Sequence, residues 1–287
     1  MTDRSVLGAV VRALVGERAG AQWSRAGGSA LNDTRRLRID GASYFVKLGP
    51  APALAMYEAE AAALRALAHA EAVRVPAPIA TGMAGAVAWL ALEWLDLAPG
   101  APDAPLGHAL AALHRATAPR FGWHRDNAIG TTPQANGWED DWATFFRDRR
   151  IAPQVALAAR NGHREVAHEG ERLLSRIPAL LAGHSPPPSL LHGDLWSGNA
   201  ARLASGEPVI FDPATYYGDR ETDVAMTELF GGFPPSFHAA YREAWPLPPG
   251  YDVRRTLYNL YHVLNHLNLF GGGYRAQALQ MIARLTA

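Results

Sequence analysis

The sequence of 287 residues contains no cysteine. Disulfides, a thiol nucleophile and zinc sites built on cysteine are therefore excluded. No charge predominates either, because 27 acidic side chains balance 27 basic ones, and such a balance does not predict a nucleic-acid partner. No run approaches the roughly 20 apolar residues of a membrane-spanning helix, and the N-terminus lacks the apolar core of a signal peptide. We expect a cytoplasmic protein that binds neither nucleic acid nor membrane.

Lysine is almost absent, since Lys47 is the one lysine among the 27 basic residues. Arginine presents a wide planar fork, whereas lysine presents a compact charge on a flexible stem. Lys47 lies in a predicted strand over 43–48 that is rich in aromatic and β-branched residues. A kinase uses such a charge on a strand of its small lobe to hold the phosphates of ATP. A general bias toward arginine explains the scarcity of lysine but not its retention here.

Residues 190–213 read LLHGDLWSGNAARLASGEPVIFDP and contain the strongest functional signal. The letters HGD end at Asp194, Asn199 follows five residues later, and Asp212 ends an apolar, strand-like run. Phosphoryl transfer from a nucleotide needs a carboxylate that accepts the alcohol proton and oxygen ligands that hold Mg²⁺. The order matches the kinase arrangement H-x-D-x-x-x-x-N followed by a metal-binding aspartate. We predict Asp194 as the catalytic base, and Asn199 and Asp212 as the metal ligands.

A carboxylate partner for Lys47 is predicted on the helix over 54–69. Glu60 lies thirteen residues after Lys47, where it would orient the ammonium group toward phosphate. Glu58 is the competing candidate, but it is two positions away and on another face of the helix. We therefore favour Glu60 as the partner, with a solvated helix charge as the alternative for either residue.

Two further segments are predicted to contact the nucleotide. Gly27, Gly28 and Ser29 precede the first strand, and glycines leave backbone N–H groups free to approach phosphate. An ordinary glycine turn remains the alternative there. The backbone from Glu93 to Leu95 follows a predicted strand and is predicted to be the hinge that pairs with the adenine edge.

Hydrophobic periodicity divides the chain into a small β-rich part and a larger helical part. The first part is predicted to hold helices over 5–18 and 54–69 and strands over 36–40, 43–48 and 87–92, with a hairpin turn at Gly41-Ala42. After a stretch rich in proline and glycine, helices are predicted over 106–117, 138–149, 164–182, 220–230, 236–244, 252–269 and 274–285. We expect an α+β, protein-kinase-like bilobal fold, with a nucleotide-binding lobe over 1–95 and a catalytic and substrate lobe over 96–287.

Four polar residues are interpreted as structural. His192 is predicted to pack and to bond the backbone, and Asp223 to brace the catalytic loop through backbone hydrogen bonds. His262 and His266 are spaced as a metal pair, but they lack the glutamate of H-E-x-x-H. No metal is predicted at these two histidines.

Over nearly its whole length the chain resembles the fructosamine kinase (ketosamine-3-kinase) family, in the aminoglycoside-phosphotransferase branch of the protein-kinase-like fold. The similar segments include YFVK at 44–47, LEWL at 92–95, LAALH at 110–114, FGW at 121–123, HGDLWSGN at 192–199 and ELFGGF at 228–233. Trp196 within the catalytic loop and the tryptophan-rich middle distinguish this family from generic aminoglycoside or choline kinases.

The resemblance implies ATP-dependent phosphorylation of the sugar 3-hydroxyl of a ketosamine, a ribulosamine- or fructosamine-type adduct of a small molecule or a protein. A 3-phosphate is a leaving group, so the adduct breaks down and the amine is recovered, which is a deglycation repair activity. The cofactors implied are ATP and Mg²⁺, and the assembly a monomer or homodimer. Trp196, Tyr216 and Tyr217 are expected to form walls of the substrate site, with packing as the alternative for the tyrosines.

Two other functions remain open. An aminoglycoside or other amino-sugar phosphotransferase of the same fold would be favoured by an acidic rim, for which Asp219 and Glu221 are the candidates near the site. Asp219 also stands where the family pattern predicts histidine, which affects the expected substrate rim. A catalytically silent nucleotide-binding module would be favoured by a missing base or metal ligand, and none is missing.

Overall fold

An antiparallel sheet of five strands forms the N-terminal part of the structure, a computed structural model that describes residues 3–16, 20–27, 33–100 and 103–287. The strands follow the order β1-β2-β3-β5-β4. Their bounds are Gln22–Arg25 (β1), Asp33–Ile39 (β2), Ala42–Pro50 (β3), Pro78–Ala84 (β4) and Val87–Glu93 (β5). Helix α1 (Asp3–Val15) and helix α2 (Ala53–His69) belong to the same part.

The two faces of this sheet are covered by different helices. Alternate residues of a strand point to opposite faces, and in β3 Val46 and Leu48 join a core with α1. Lys47, between them, faces the other way and reaches Glu60 on α2. The strand pattern therefore places the lysine beneath α2.

The β2–β3 hairpin turns one residue earlier than the sequence prediction. Ile39 pairs with Ala42, so the turn residues are Asp40 and Gly41, with φ of 50° and 86°. Two successive residues with positive φ give the twist that joins antiparallel strands through two residues. Aspartate and glycine tolerate this conformation better than alanine does, and Ala42 is the first residue of the strand.

Helices dominate the C-terminal part, together with short strands. The helices are Ala104–Leu113 (α3), Trp142–Phe146 (α4), Ala152–Arg160 (α5), Arg164–Leu174 (α6), Ile177–Leu180 (α7), Glu221–Leu229 (α8), Pro235–Ala244 (α9), Tyr251–Phe270 (α10) and Arg275–Thr286 (α11). The strands are Leu97–Ala98 (β6), Asn127–Ile129 (β7), Thr132–Gln134 (β8), Ser189–Leu190 (β9), Ala200–Leu203 (β10), Pro208–Ile210 (β11) and Tyr217–Gly218 (β12). A π turn over Arg147–Ile151 joins α4 to α5.

Several boundaries differ from the sequence prediction for local reasons. The helix predicted from 138 begins at Trp142, because the Asp141 side chain accepts a hydrogen bond from Thr144 N at 2.7 Å and caps it. The helix predicted over 164–182 is two helices, α6 and α7. Strands β1 and β4 and helix α5 are absent from the sequence prediction.

The predicted fold class is confirmed, since a β-rich N-terminal part is followed by a mostly helical part. The division after residue 95 stays a prediction; β5 ends at Glu93, and Leu97–Ala98 already pairs with β10. Within the described ranges, every helix is too short or too polar to cross a membrane.

Candidate active site

The backbone of the catalytic loop is held by Asp223, which lies on α8. Its two carboxylate oxygens accept hydrogen bonds from His192 N at 2.7 Å and Gly193 N at 2.8 Å. Gly193 has a φ of 84°, and a Cβ there would collide with the carbonyl oxygen of Ala214. His192 is fully buried, and its Nε2 bonds the Phe211 carbonyl at 2.9 Å. The structural roles predicted for His192 and Asp223 are confirmed.

Asp194 and Asn199 meet within this loop. Asn199 Nδ2 donates to the Asp194 carbonyl at 2.9 Å and lies 3.3 Å from Asp194 Oδ2. Burial raises the pKa of Asp194 to about 7, with smaller contributions from the negative charges of Asp212 and Asp223. A carboxyl group with a pKa near neutrality is well matched to accepting a proton from an alcohol.

Lys47 joins the sheet to the residue that follows β11. Its ammonium group lies 2.8 Å from Glu60 Oε1 and 2.6 Å from Asp212 Oδ1, and the residue is only 2% exposed. Burial alone would lower the pKa of Lys47, but the two carboxylates outweigh it and leave the pKa raised. The ammonium is therefore charged, as phosphate binding requires. Asp212 has a φ of 57°, a left-handed conformation that aspartate tolerates better than most residues other than glycine.

Of the two acids on α2, only Glu60 reaches the lysine. Glu58 lies instead beside Arg125, with its Oε2 3.7 Å from Arg125 Nη2, and its side chain is 48% exposed. The choice of Glu60 over Glu58 as the ion-pair partner agrees with this geometry.

The oxygen atoms around Asp194 suit a magnesium ion. Mg²⁺ prefers carboxylate and amide oxygens and keeps several waters. Because Asn199 Nδ2 is occupied by Asp194, its Oδ1 is the atom left to ligate, and no described residue donates to it. The Asp212 side chain is 37% exposed beside the lysine. Asn199 and Asp212 are thus the residues that could hold the ion.

The predicted hinge is anchored through a side chain. Glu93 pairs with Arg74 and also accepts from Ala77 N at 3.1 Å, while its own N–H donates to the Ala77 carbonyl at 2.8 Å. Among the described residues, none accepts a hydrogen bond from the N–H of Leu95. A free N–H beside an anchored strand end is compatible with adenine binding, which stays a prediction for Glu93 and Leu95.

The predicted phosphate-covering loop is only partly described. Gly28 and Ser29 lie outside the described residues. Gly27 is exposed, and a Cβ there would meet no atom within 4 Å. The role of this loop stays a prediction.

Two of the three predicted substrate aromatics reach the surface. Trp196 is 42% exposed and its indole lies across Gly198 of the same loop. Tyr217 is half-buried, with its ring centroid 5.5 Å from Trp123 and 6.2 Å from Trp138. Both residues can still form part of a substrate wall.

The prediction that Tyr216 lines the substrate site is wrong. Tyr216 is 3% exposed, stacks on Phe145 at 5.7 Å and lies 3.9 Å below the guanidinium of Arg150. Neighbouring residues of an extended segment point to opposite sides. Tyr216 therefore belongs to the core when Tyr217 faces outward.

Asp219 and Glu221, the candidates for an acidic rim that would favour an aminoglycoside acceptor, do not form one. Each is 1% exposed. Asp219 accepts from Tyr258 OH at 2.6 Å and bonds His184 Nε2 at 2.7 Å. Glu221 forms a two-pronged ion pair with Arg254, at 2.7 and 2.8 Å. These charges stabilise the C-terminal part and are not available to a cationic substrate.

Sequence reasoning assigned no role to three amide residues that lie behind Asp212. Asn127, Gln134 and Asn136 belong to the β7–β8 region, and Gln134 and Asn136 are 2% and 0% exposed. The side chains of Asn127 and Gln134 reach the backbone that follows Asp212, and Asn136 bonds Asn127. The sequence signal is that the three amides lie within ten residues, over 127–136.

This arrangement is that of a protein-kinase-like phosphotransferase, in which the nucleotide-binding sheet and the acidic loop of the helical part meet at one buried lysine. The similarity of this chain to known proteins supports the same class. The sequence model of the family described as fructosamine kinase matches residues 9–287.

Individual relatives cover most of this chain. A probable ketoamine kinase of Synechocystis is 50% identical over 85% of this chain and 83% of its own. A chloroplastic protein-ribulosamine 3-kinase of Oryza sativa subsp. japonica is 39% identical over 90% of this chain and 77% of its own. A crystal structure from Thermobifida fusca, assigned as a fructosamine-3-kinase, has a TM-score of 0.85 at 33% identity and covers 98% of both chains. The chain belongs to the fructosamine kinase family and is a kinase.

Proposed function

We propose that this kinase transfers the γ-phosphoryl group of ATP to the sugar 3-hydroxyl of a ketosamine, and thereby removes sugar adducts from amines. The main support for this proposal is the position of Asp194. Its carboxyl group, with a pKa near 7, lies beside Asn199 and Asp212 in a chain of this family. Relatives named for ketoamines and ribulosamines support the class of acceptor.

The residues divide the reaction between them. Asp194 accepts the proton of the 3-hydroxyl as that oxygen bonds to the γ-phosphorus and the bond to the β,γ-bridging oxygen breaks. Lys47, oriented by Glu60, holds the phosphates. Asn199 and Asp212 would hold Mg²⁺, which neutralises charge on the phosphates when bound. The hinge backbone at Glu93 and Leu95 and the loop at Gly27, Gly28 and Ser29 would hold the rest of ATP.

On the acceptor side we assign Trp196 and Tyr217 as walls. An aromatic face packs well against the C–H groups of a sugar, and Trp196 is both exposed and two residues from Asp194. The product carries phosphate at the position from which it is eliminated, so the adduct decomposes and the amine is released. Action in the cytoplasm, and as a monomer or homodimer, are further parts of this proposal.

The alternatives have less support. The acids that would have favoured an aminoglycoside acceptor, Asp219 and Glu221, are buried in ion pairs. A silent nucleotide-binding module is disfavoured because the base, the lysine pair and both oxygen ligands are present together.

The test is ADP release with Mg²⁺–ATP and a panel of ribulosamine, erythrulosamine, fructosamine and kanamycin. We expect turnover on a ketosamine that falls roughly 10²–10⁴-fold in Asp194→Asn, because a positioned base contributes that much. Asp140→Asn is the matched control, since Asp140 is 79% exposed and pairs only with Arg120 among the described residues. Turnover on kanamycin alone, or full activity of Asp194→Asn, would overturn the proposal.

A further inference from the structure

The chain that follows Asp212 has no regular structure of its own until β12 begins at Tyr217. Its backbone is nevertheless held by hydrogen bonds from other parts of the chain, beginning two residues after Asp212, which has a φ of 57°. One bond comes from the catalytic loop, as Ala214 N donates to the His192 carbonyl at 2.9 Å. The carbonyls of Ala214 and Thr215 need donors from elsewhere.

Two amides, the buried Gln134 and the half-buried Asn127, supply those donors. Gln134 Nε2 donates to the Ala214 carbonyl at 3.1 Å, and Asn127 Nδ2 donates to the Thr215 carbonyl at 2.8 Å. Gln134 Nε2 also donates to Asn127 Oδ1 at 2.8 Å. Both residues belong to the β7–β8 hairpin, so this hairpin holds the segment on the side away from the catalytic loop.

The orientation of every amide is fixed from the far end of the network. Arg150 is fully buried and can only donate. Its Nη2 donates to Asn136 Oδ1 at 2.7 Å, so Asn136 Nδ2 is turned toward Asn127 Oδ1, at 2.8 Å. Asn127 must then present its own nitrogen to Thr215. Because an arginine can only donate and a backbone carbonyl can only accept, the hydrogen bonds between them must all run in one direction.

Gln134 is oriented by atoms that can only accept. Its Nε2 faces Asn127 Oδ1 and the Ala214 carbonyl, so its Oε1 faces α10 and accepts from Tyr261 OH at 2.7 Å. Arg150 has no carboxylate partner among the described residues and is balanced by carbonyls and by the ring of Tyr216. It lies in the π turn over Arg147–Ile151, an irregularity found often at functional sites.

We propose that Asn127, Gln134 and Asn136, oriented by Arg150, form an amide relay that positions Asp212 for magnesium binding. The inference rests on the proposed function, because it takes Asp212 as a metal ligand. The relay touches neither metal nor substrate, so its members are positioning residues. Loss of one donor frees a backbone carbonyl within three residues of Asp212, and the carboxylate then occupies its position for less of the time.

The experiment measures ATP binding by calorimetry, once with Mg²⁺ and once with EDTA, in the full chain. In Gln134→Leu and Asn127→Ala we expect the gain in ATP affinity that Mg²⁺ provides to fall about 10-fold, the lower end for residues behind a metal ligand. ATP affinity in EDTA should not change. Asn127 is only half-buried, so Asn127→Ala should disturb folding less. It tests the proposal if Gln134→Leu does not fold.

The matched control is Asn268→Ala. Asn268 is half-buried like Asn127 and also part of an amide network, with Gln154 and Asn161, but none of its hydrogen bonds to described residues reaches 212–217. It should lose stability yet keep the Mg²⁺-dependent gain. An unchanged gain in both relay variants, or an equal loss in the control, would overturn the relay. Wild-type protein that turns over no ketosamine while the relay variants lose the gain would overturn the proposed function and leave the relay standing.

Discussion

On one face of the five-stranded sheet, α1 covers a small core of its own, whereas on the other face α2 packs into a core that continues through the helical part. The first core joins Val6 and Val10 of α1 to strand residues such as Val46 and Trp89. The second joins Leu64 of α2 to residues of both parts of the chain. One face of the sheet therefore has a core of its own with α1, and the other face contributes to a core that it shares with the helical part.

The difference shows where the geometry of the ion pair is set. Lys47 and Glu60 lie on the shared side, so the position of α2 is determined by packing against the helical part as well as against the sheet. Because close-packed cores have few alternative arrangements, α2 is held with Glu60 in contact with the lysine. The α1 side contributes stability without contacting the site.

The largest expected effect comes from neighbouring residues on opposite faces of β3. Lys47→Met should lower kcat/KM for ATP on the order of 10³-fold, because it removes a preorganised charge from the phosphates. Val46→Ala should cost about 1–3 kcal/mol of unfolding free energy and leave turnover per folded molecule unchanged. Kinetics and urea denaturation of both variants test this, and an equal loss of turnover in Val46→Ala would show that the two faces are not separate.

Lowering the pH should weaken the shared core through His262 on α10, while the raised pKa of Asp194 acts in the opposite direction. Burial, assisted by His266 and Arg150 and opposed by Asp223, lowers the pKa of His262 to about 3. The unfolded chain takes up this proton below about pH 6.5 and the folded chain does not, so stability is full above that pH and falls as the pH falls toward 3. At roughly 1.4 kcal/mol per pH unit, the loss from His262 reaches about 5 kcal/mol.

The measurement is unfolding free energy against pH, with hydrogen exchange to locate the opening. His262→Phe should flatten the slope between pH 6 and 4, and His168→Phe, at a side chain that is 75% exposed, should not. The buried residues of the α1 core include neither histidine nor carboxylate. Exchange that begins in α1 at low pH, with α10 still protected, would contradict the prediction.

The sequence was sufficient for the residues whose relations are local or follow a fixed spacing. Asp194 and Asn199 lie in one loop, and their contact follows from the loop itself. Lys47 and Glu60 lie on adjacent elements, and helix periodicity separated Glu60 from Glu58 because the two acids point to different faces.

Burial was harder to predict because it depends on partners far along the chain. Asp219 and Glu221 read as surface charges, yet their partners His184 and Arg254 lie more than 30 residues away. Strand β4 has glycine at a position where the ring of Trp89 on β5 lies across the backbone, so its low strand propensity was misleading. Propensity describes a single segment, whereas burial and strand pairing depend on two segments that are far apart in the chain.

A smaller effect is expected when the shared face is disturbed at the ion pair alone. Glu60→Gln should raise KM for ATP roughly tenfold, because a hydrogen bond to a charged partner contributes about 1.5–3 kcal/mol and Asp212 still holds the ammonium. Glu58→Gln, two residues away on the same helix, should leave KM unchanged. The measurement is KM for ATP of both variants at saturating acceptor. Equal increases in KM would mean that the net charge of α2 matters and that the contact between Glu60 and Lys47 does not.

The smallest effect should come from the surface contact between α2 and the helical part. Arg125 Nη1 donates to the Glu58 carbonyl at 3.3 Å and its Nη2 lies 3.7 Å from Glu58 Oε2, with side chains 33% and 48% exposed. Such pairs typically contribute under about 1 kcal/mol, so a double-mutant cycle with Arg125→Ala and Glu58→Ala should give a coupling of about 0.5 kcal/mol. KM for ATP should not move in any member of the cycle. A coupling well above that, or a raised KM, would mean that this contact holds α2 in place and that the shared core beneath it does not.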